Sequence, residues 1–230
     1  RDPDAHPEQF KDSPIGRIPI DWHVSGLATK GHPHRPYVKT GPFGSSLKSE
    51  HWVNEGVPVV TIGSLGEGAF IASELLHVTQ RTAAALASYA LEPGDLVFSR
   101  VADVGRSVVV TEAENGWIMS SNLMRISLDP TDVLPPFAYL ALVYSNRTTE
   151  QIRRSVNSGG RDIANTEVLD HIIFAWPPRP EQERIAATVA QHSAYLNAET
   201  QHRDKLISLK QGLMDDLLTG PMRACELARK

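Results

Sequence analysis

The sequence predicts an α+β protein: a mixed α/β domain of short, irregularly ordered strands, followed by one long coiled-coil-type helix. Between about residues 37 and 176, brief apolar runs rich in Val, Ile and aromatic residues alternate with turn residues, including glycines at 56, 63, 66, 68, 94, 105 and 116. From 181 to 219 the pattern inverts, with no proline and Gly212 as the only glycine. A proline-rich seam, Trp176-Pro-Pro-Arg-Pro180, divides the two regimes. The 230 residues suffice for a real core, and 41% hydrophobic with 22% charged residues is a globular balance.

The elements follow in order. Residues 1–36 carry six prolines (3, 7, 14, 19, 33 and 36), too many for a regular element, so they read as an extended lead-in. Strands are expected at 57–62, 95–99, 107–111, 117–126 and 171–176, and helices at roughly 79–90 and 136–156. This irregular order differs from the regular strand–helix alternation of a doubly wound sheet. The expected division is a domain at 1–178, a helix at 179–220 and a flexible tail at 221–230.

The helix has clear start and stop signals. Pro180 suits a first turn, Glu181 and Glu183 complement the positive end of the helix dipole, and Gly220-Pro221 ends it. Its ~40 residues would reach about 60 Å. Apolar stripes run through Ile185, Val189 and Leu196 and through Leu206, Leu209, Leu213 and Leu217, with a polar middle. A seven-residue frame would place His192, Glu199 and Arg203 on the seam, so the coiled coil is imperfect. Such a stripe calls for a partner: the domain itself, another helix of a longer parent chain, or a second copy.

Charge and chemistry exclude several functions. The net charge of −4 makes a poor holder of DNA by charge alone, since non-specific affinity comes mainly from Lys and Arg on phosphates. Positive charge is local: residues 30–49 hold Lys30, Arg35, Lys39, Lys48 and two histidines without an acid, and a second cluster is Arg147, Arg153, Arg154 and Arg161. One cysteine, Cys225, rules out a disulfide framework. No stretch is apolar enough for a bilayer and no secretory signal pattern opens the chain, so a cytoplasmic protein is expected. Gly63-Ser-Leu-Gly66-Glu-Gly68 lacks the spacing and lysine of a phosphate loop. Leu134-Pro-Pro-Phe137 has leucine where an amino-methyltransferase needs a hydrogen-bond acceptor. Ser45-Ser-Leu-Lys48 lacks the rest of a serine hydrolase. His32 and His34 belong to no metal-binding pattern. No catalytic residue, cofactor or metal is therefore assigned to this chain.

Four stretches, in order, resemble the type I restriction–modification specificity subunits. They are Phe10-Lys-Asp-Ser-Pro-Ile-Gly-Arg-Ile-Pro19 with Trp22; Thr40-Gly-Pro-Phe-Gly-Ser-Ser-Leu-Lys48; Leu91-Glu-Pro-Gly-Asp-Leu-Val-Phe-Ser-Arg100; and Pro177-Pro-Arg-Pro-Glu-Gln182 joined to Leu213-Met-Asp-Asp-Leu-Leu-Thr-Gly220. The resemblance implies a target-recognition domain that reads half of a split DNA site, and a spacer helix that fixes the distance between halves. It also implies modification subunits that carry S-adenosylmethionine and methyl transfer, with translocase–nuclease subunits for cleavage. A complete subunit of that family has two such halves; this sequence has no internal repeat and starts at Arg1, as expected of a natural half-subunit, an excerpt or a processed product. The alternatives are a helical scaffold that reads no DNA, or a DNA-modifying enzyme.

Family motifs do not specify base contacts, so DNA-facing candidates come from chemistry. In residues 41–48 the small side chains let backbone approach DNA, with Ser45 and Lys48 as phosphate ligands; Gly41, Pro42 and Phe43 read rather as a structural turn. Arg100 and Arg106 flank a loop after a strand, with salt bridges to Asp95 or Asp103 as the structural alternative. Arg153 and the Ser158-Gly-Gly-Arg161 loop complete the set. Ile185, Val189, Leu196, Leu206, Leu209, Leu213 and Leu217 are the expected partner-helix surface, for self-association among other uses.

Overall fold

In the computed structural model, which describes residues 4, 6–44, 46–158, 163–220 and 223 (the side chains of 157 and 158 excepted), the chain divides into two compact units, Arg1–Glu183 and Arg184–Lys230. The first holds β1 (Phe10–Lys11), β2 (Ile18–Pro19), β3 (His23–Gly26), β4 (Val38–Thr40), β5 (Trp52–Val53), β6 (Val57–Val60), β7 (Leu76–Val78), α1 (Gln80–Ala85), β8 (Leu96–Ser99) and β9 (Ser107–Val109). It continues with β10 (Ile118–Met119), β11 (Leu123–Ile126), α2 (Pro135–Val143), α3 (Asn146–Ser158), α4 (Thr166–His171), β12 (Ile173–Trp176) and the first turn of α5 (Arg179–Thr219). The rest of α5 forms the second unit. The expected tail, 221–230, lies outside the described residues apart from Arg223.

Two four-stranded sheets form the centre. One has the order β10-β6-β7-β5, with β10 parallel to β6; the other, β4-β11-β8-β9, is antiparallel throughout. In the first sheet, adjacent residues feed opposite cores because successive side chains alternate faces. Val59 and Ile118 pack with Val78, Ala83 and Leu86, whereas Val60 and Met119 join Leu65, Leu91, Val97, Val108, Val110 and Leu123. Both faces of that sheet are covered, which accounts for its unbroken apolar runs.

The structure alters several expected elements, each for a local reason. The single strand at 117–126 is two strands in different sheets. The chain turns at Ser120, whose N–H donates to Val60 O and whose carbonyl accepts from Leu123 N–H. The long helix at 136–156 is two helices, because Ser145 starts a new one: its carbonyl accepts from Thr148 and Thr149 N–H, and its hydroxyl from Thr148 N–H. At 79–90, Thr79 caps α1 through Thr82 N–H, but α1 stops at Ala85 and a 3₁₀ turn, Ala87–Tyr89, follows. His171 ends α4 instead of starting a strand. The lead-in is partly regular: β1 and β2 form a hairpin, and β3 pairs along its length with β12.

The seam is bolted to the domain by the very residues that make its sequence recognisable. Gln182, buried, uses its whole amide: Oε1 accepts from Leu134 N–H at 2.8 Å, and Nε2 donates to Asp132 O and Pro177 O at 3.1 Å each. Trp22 Nε1–H donates to Glu181 Oε2 at 2.9 Å, and Trp176 Nε1–H to Ser25 O. The Pro-Pro-x-x-Glu-Gln motif therefore anchors a helix start. Among the described residues, no helix is long and apolar enough to cross a membrane.

Candidate nucleic-acid interface

The turn at 41–48 is built on a close approach. Gly41 N–H donates to Leu123 O at 2.9 Å, and a Cβ added at Gly41 would run into the Ser120 carbonyl. Gly41 and the buried Pro42 are structural, and the Phe43 carbonyl closes a turn by accepting from Ser46 N–H at 2.8 Å, although the Phe43 side chain stands 83% exposed. Lys48 Nζ lies 3.8 Å from Glu50, both on the surface, and Lys48 N–H donates to His51 Nδ1. Ser45 lies outside the described residues.

Beyond β8, Arg100 and Arg106 bracket a loop in which Ala102 adopts φ +61°, the left-handed region that costs a non-glycine residue energy. The two arginines part company there. Arg106 takes the salt-bridge alternative, with Nε 2.8 Å from Asp103 and a further bond to Leu65 O. Arg100 pairs with neither aspartate; its Nε donates to Ala164 O at 3.3 Å, leaving its terminal nitrogens without an acceptor among the described residues. Asp95 is out of reach, buried beneath Arg35, Arg125 and Ser127.

Arg153 and Arg106 meet in a cleft of about 490 Å³ between this loop and α2–α3, lined also by Asp103, Leu142, Ile152 and Val156. Arg153 shares Glu150 with Arg154, at 2.6 and 3.0 Å, and those bonds, Arg154's foremost, hold the Glu150 carboxyl below its ordinary range. Lys48 does not line this cleft. Arg161 lies outside the described residues.

Folding also spends cations that looked free in the sequence. Lys30 pairs with Asp132 at 2.6 Å, and Arg35 with Glu92 at 2.7 Å and Asp95 at 3.2 Å. Half of the acid-free basic segment is thus neutralised by acids distant in sequence. Lys39 of that segment and Arg81 are left instead: neither side chain meets a carboxylate or a hydrogen-bond acceptor among the described residues, and Lys39 sits 4.9 Å above the Tyr89 ring. Only the fold reveals which cations have been neutralised. No group of three His, Cys, Asp or Glu among the described residues is placed to hold a metal.

On the helix, Val189, Leu196, Leu206, Leu209 and Leu213 are exposed, and Ile185 and Leu217 are half-buried. Tyr195, Ile207, Met214 and Leu218, outside the expected stripe, are exposed too. The apolar surface is broader than a two-position seam.

The family model for the type I restriction modification DNA specificity domain matches residues 42–208. A type I restriction enzyme specificity subunit, MjaX, of Methanocaldococcus jannaschii is 22% identical over 218 residues, covering 92% of this chain and 49% of the relative. Among solved structures, a chain from a study of complex assembly and conformational transition of the type I R-M system superposes with a TM-score of 0.62 at 18% identity, covering 93% of this chain and 49% of that one. The HsdS subunit from Thermoanaerobacter tengcongensis gives 0.56 at 17% identity over 95% and 50%, and the S subunit from M. genitalium 0.54 at 16% over 86% and 46%. These likenesses show the fold: a mixed α+β domain with a long C-terminal helix. This chain spans about half the length of the relatives it matches.

Proposed function

We propose, given that this chain belongs to the type I restriction modification DNA specificity domain family, that it reads one half of a bipartite double-stranded DNA site as the non-catalytic specificity component of a restriction–modification complex. The observation that carries this reading is the extent of the family match, which spans most of the domain and continues through much of α5. The functional division falls at the seam, with target recognition in 1–178 and a spacer in 179–220. Methyl transfer and S-adenosylmethionine belong to docked modification subunits, cleavage to translocase–nuclease subunits, and the assembly works in the cytoplasm. With partners supplying phosphate contacts, the acidic net charge is no obstacle.

Recognition requires side chains presented to base edges and cations presented to phosphates. Arg100, held by one nitrogen with the rest of its guanidinium available, fits that demand better than Arg106, which is occupied by Asp103 and Leu65. Lys48, Arg153, Ser45 and Arg161 complete the DNA-facing set. The long apolar face of α5 pairs with a second such helix, from another copy or from the other half of a longer chain.

Selection from a randomised duplex pool by the chain together with its modification subunit tests the reading. Enrichment of a short defined sequence supports it, and a pool that stays random sinks it. The isolated chain, given DNA, Mg²⁺ and S-adenosylmethionine, is expected to yield no product. Turnover there would make it an enzyme.

A further inference from the structure

The geometry points to a second DNA contact, away from the Arg106–Arg153 cleft: a phosphodiester clamp formed by Arg81, His51, Ser46 and Ser88, with Lys39 at its rim. It rests on the reading that this chain binds DNA and adds a place on its surface where the backbone is held. An open cleft of about 620 Å³ lies between the turn at 41–48 and α1, lined by Ser46, His51, Arg81, Thr82, Ser88 and Tyr89 among others, with no carboxylate in its lining. Arg81 is exposed and Lys39 lies over the ring of Tyr89, which belongs to the cleft. Among the described residues up to Glu183, these are the two Lys or Arg side chains that neither an ion pair nor a hydrogen bond occupies. In a domain that neutralises most of its cations internally, two uncommitted ones at a single cleft are a concentration of available positive charge.

The remaining groups have the matching polarity. His51 Nδ1 accepts from Lys48 N–H at 3.0 Å, so in the neutral ring the proton sits on Nε2, which is left as a donor. The Ser46 and Ser88 hydroxyls add two more donors, while Thr82 is taken up by Thr79. Donors without an opposing carboxylate suit an anion with several acceptor oxygens, and a duplex backbone supplies these at regular spacing. Tyr89 has Lys39 on one face, so it serves as a platform for the ammonium rather than a stacking surface for a base.

The test uses the full chain and a fluorescent 30-base-pair duplex of random sequence, alone and with the modification subunit, titrated from low to high salt. Lys39→Gln and Arg81→Gln should each make the slope of log affinity against log salt shallower by about one, and the double variant by about two. The melting temperature of Arg81→Gln should match the parent's, since its side chain makes no ion pair or hydrogen bond among the described residues, and that of Lys39→Gln, which gives up only its place over the Tyr89 ring, should fall by no more than about a few degrees. Variants with the parent's slope, where the parent binds, overturn the clamp and leave DNA recognition standing; loss of modification-subunit assembly with an unchanged slope overturns it too, in favour of a protein partner. A parent that binds no duplex under either condition even at the lowest salt overturns the clamp, while the DNA reading stands or falls with the randomised-duplex selection.

Discussion

Asp95 and Arg125 meet inside the sheet of β4, β11, β8 and β9, with 3.9 Å between Arg125 Nε and the carboxylate and both side chains almost fully buried. The pair belongs to a larger knot. Asp95 also accepts from Glu92 N–H at 2.8 Å, from Ser127 Oγ at 2.6 Å and from both terminal nitrogens of Arg35, while Arg125 donates to Ala90 O at 2.7 Å. Burial, then the like charge of Arg35, pulls the Arg125 pKa below its ordinary value. Asp95→Ala would leave the buried Arg125 guanidinium without its counter-ion, Arg35 keeping Glu92, and should cost about 3–5 kcal/mol in urea unfolding. Asp103→Ala, at an exposed pair, should cost no more than about 1 kcal/mol. Equal losses for the two would show that water reaches the buried knot.

Gly41→Ala tests the close approach of the turn to the Ser120 carbonyl. The added methyl group has no room without moving one of two backbones, one of which carries the Gly41–Leu123 hydrogen bond. A loss of about 1–3 kcal/mol is expected on thermal melting. Gly44→Ala, with nothing near its added carbon, should be nearly silent by comparison.

The helix surface makes a prediction about assembly. Burying one leucine contributes about 1.5–3 kcal/mol, so Leu206, Leu209, Leu213 and Leu217 together suffice to join two helices. Two copies should therefore associate at tens of micromolar, and Leu206→Lys with Leu213→Lys should return them to monomers without unfolding the domain. Sedimentation velocity checks both halves. A parent chain that stays monomeric at that concentration would mean that its stripe needs a different partner.

Tyr139 gives a prediction in alkali. Burial, followed by its hydroxyl contact with Tyr144 at 3.5 Å, raises its phenol well above the usual tyrosine value. Because the folded state prefers the protonated phenol, the associated stability is present below the ordinary tyrosine pKa and is lost as pH rises beyond it. In an absorbance titration, Tyr139→Phe should remove a tyrosine step that ionises above the usual range. A titration unchanged by the substitution would refute the assignment.

What the sequence made legible follows from range. The long helix, its limits near 179 and 219, and the run at 96–99 depend on local periodicity and on proline and glycine punctuation, and they appear as expected. The breaks at Ser120 and Ser145 were hidden because each depends on which carbonyl a nearby N–H finds. The site was harder still. Arg106 and Arg35 looked as available as Arg100 until folding brought Asp103, Glu92 and Asp95 against them. Arg81, two residues into a short helix, carried no signal at all; its significance comes from what is absent around it after folding. The Glu181-Gln182 and Asp95 motifs, by contrast, were recognisable in sequence, and their roles in the fold are to anchor and to brace.

The pairing of β3 with β12 also decides when this domain can finish folding. The bonds that close it, Trp176 to Ser25 and Trp22 to Glu181, join partners 151 and 159 residues apart. Closing a loop of that length costs roughly (3/2)RT ln n, about 4 kcal/mol of chain entropy, before those contacts return anything. During synthesis β3 must wait for nearly all of the domain that follows it before its partner strand appears. The seam at Gln182 cannot lock until the same moment, so the start of α5 is fixed in place only once the domain behind it has closed.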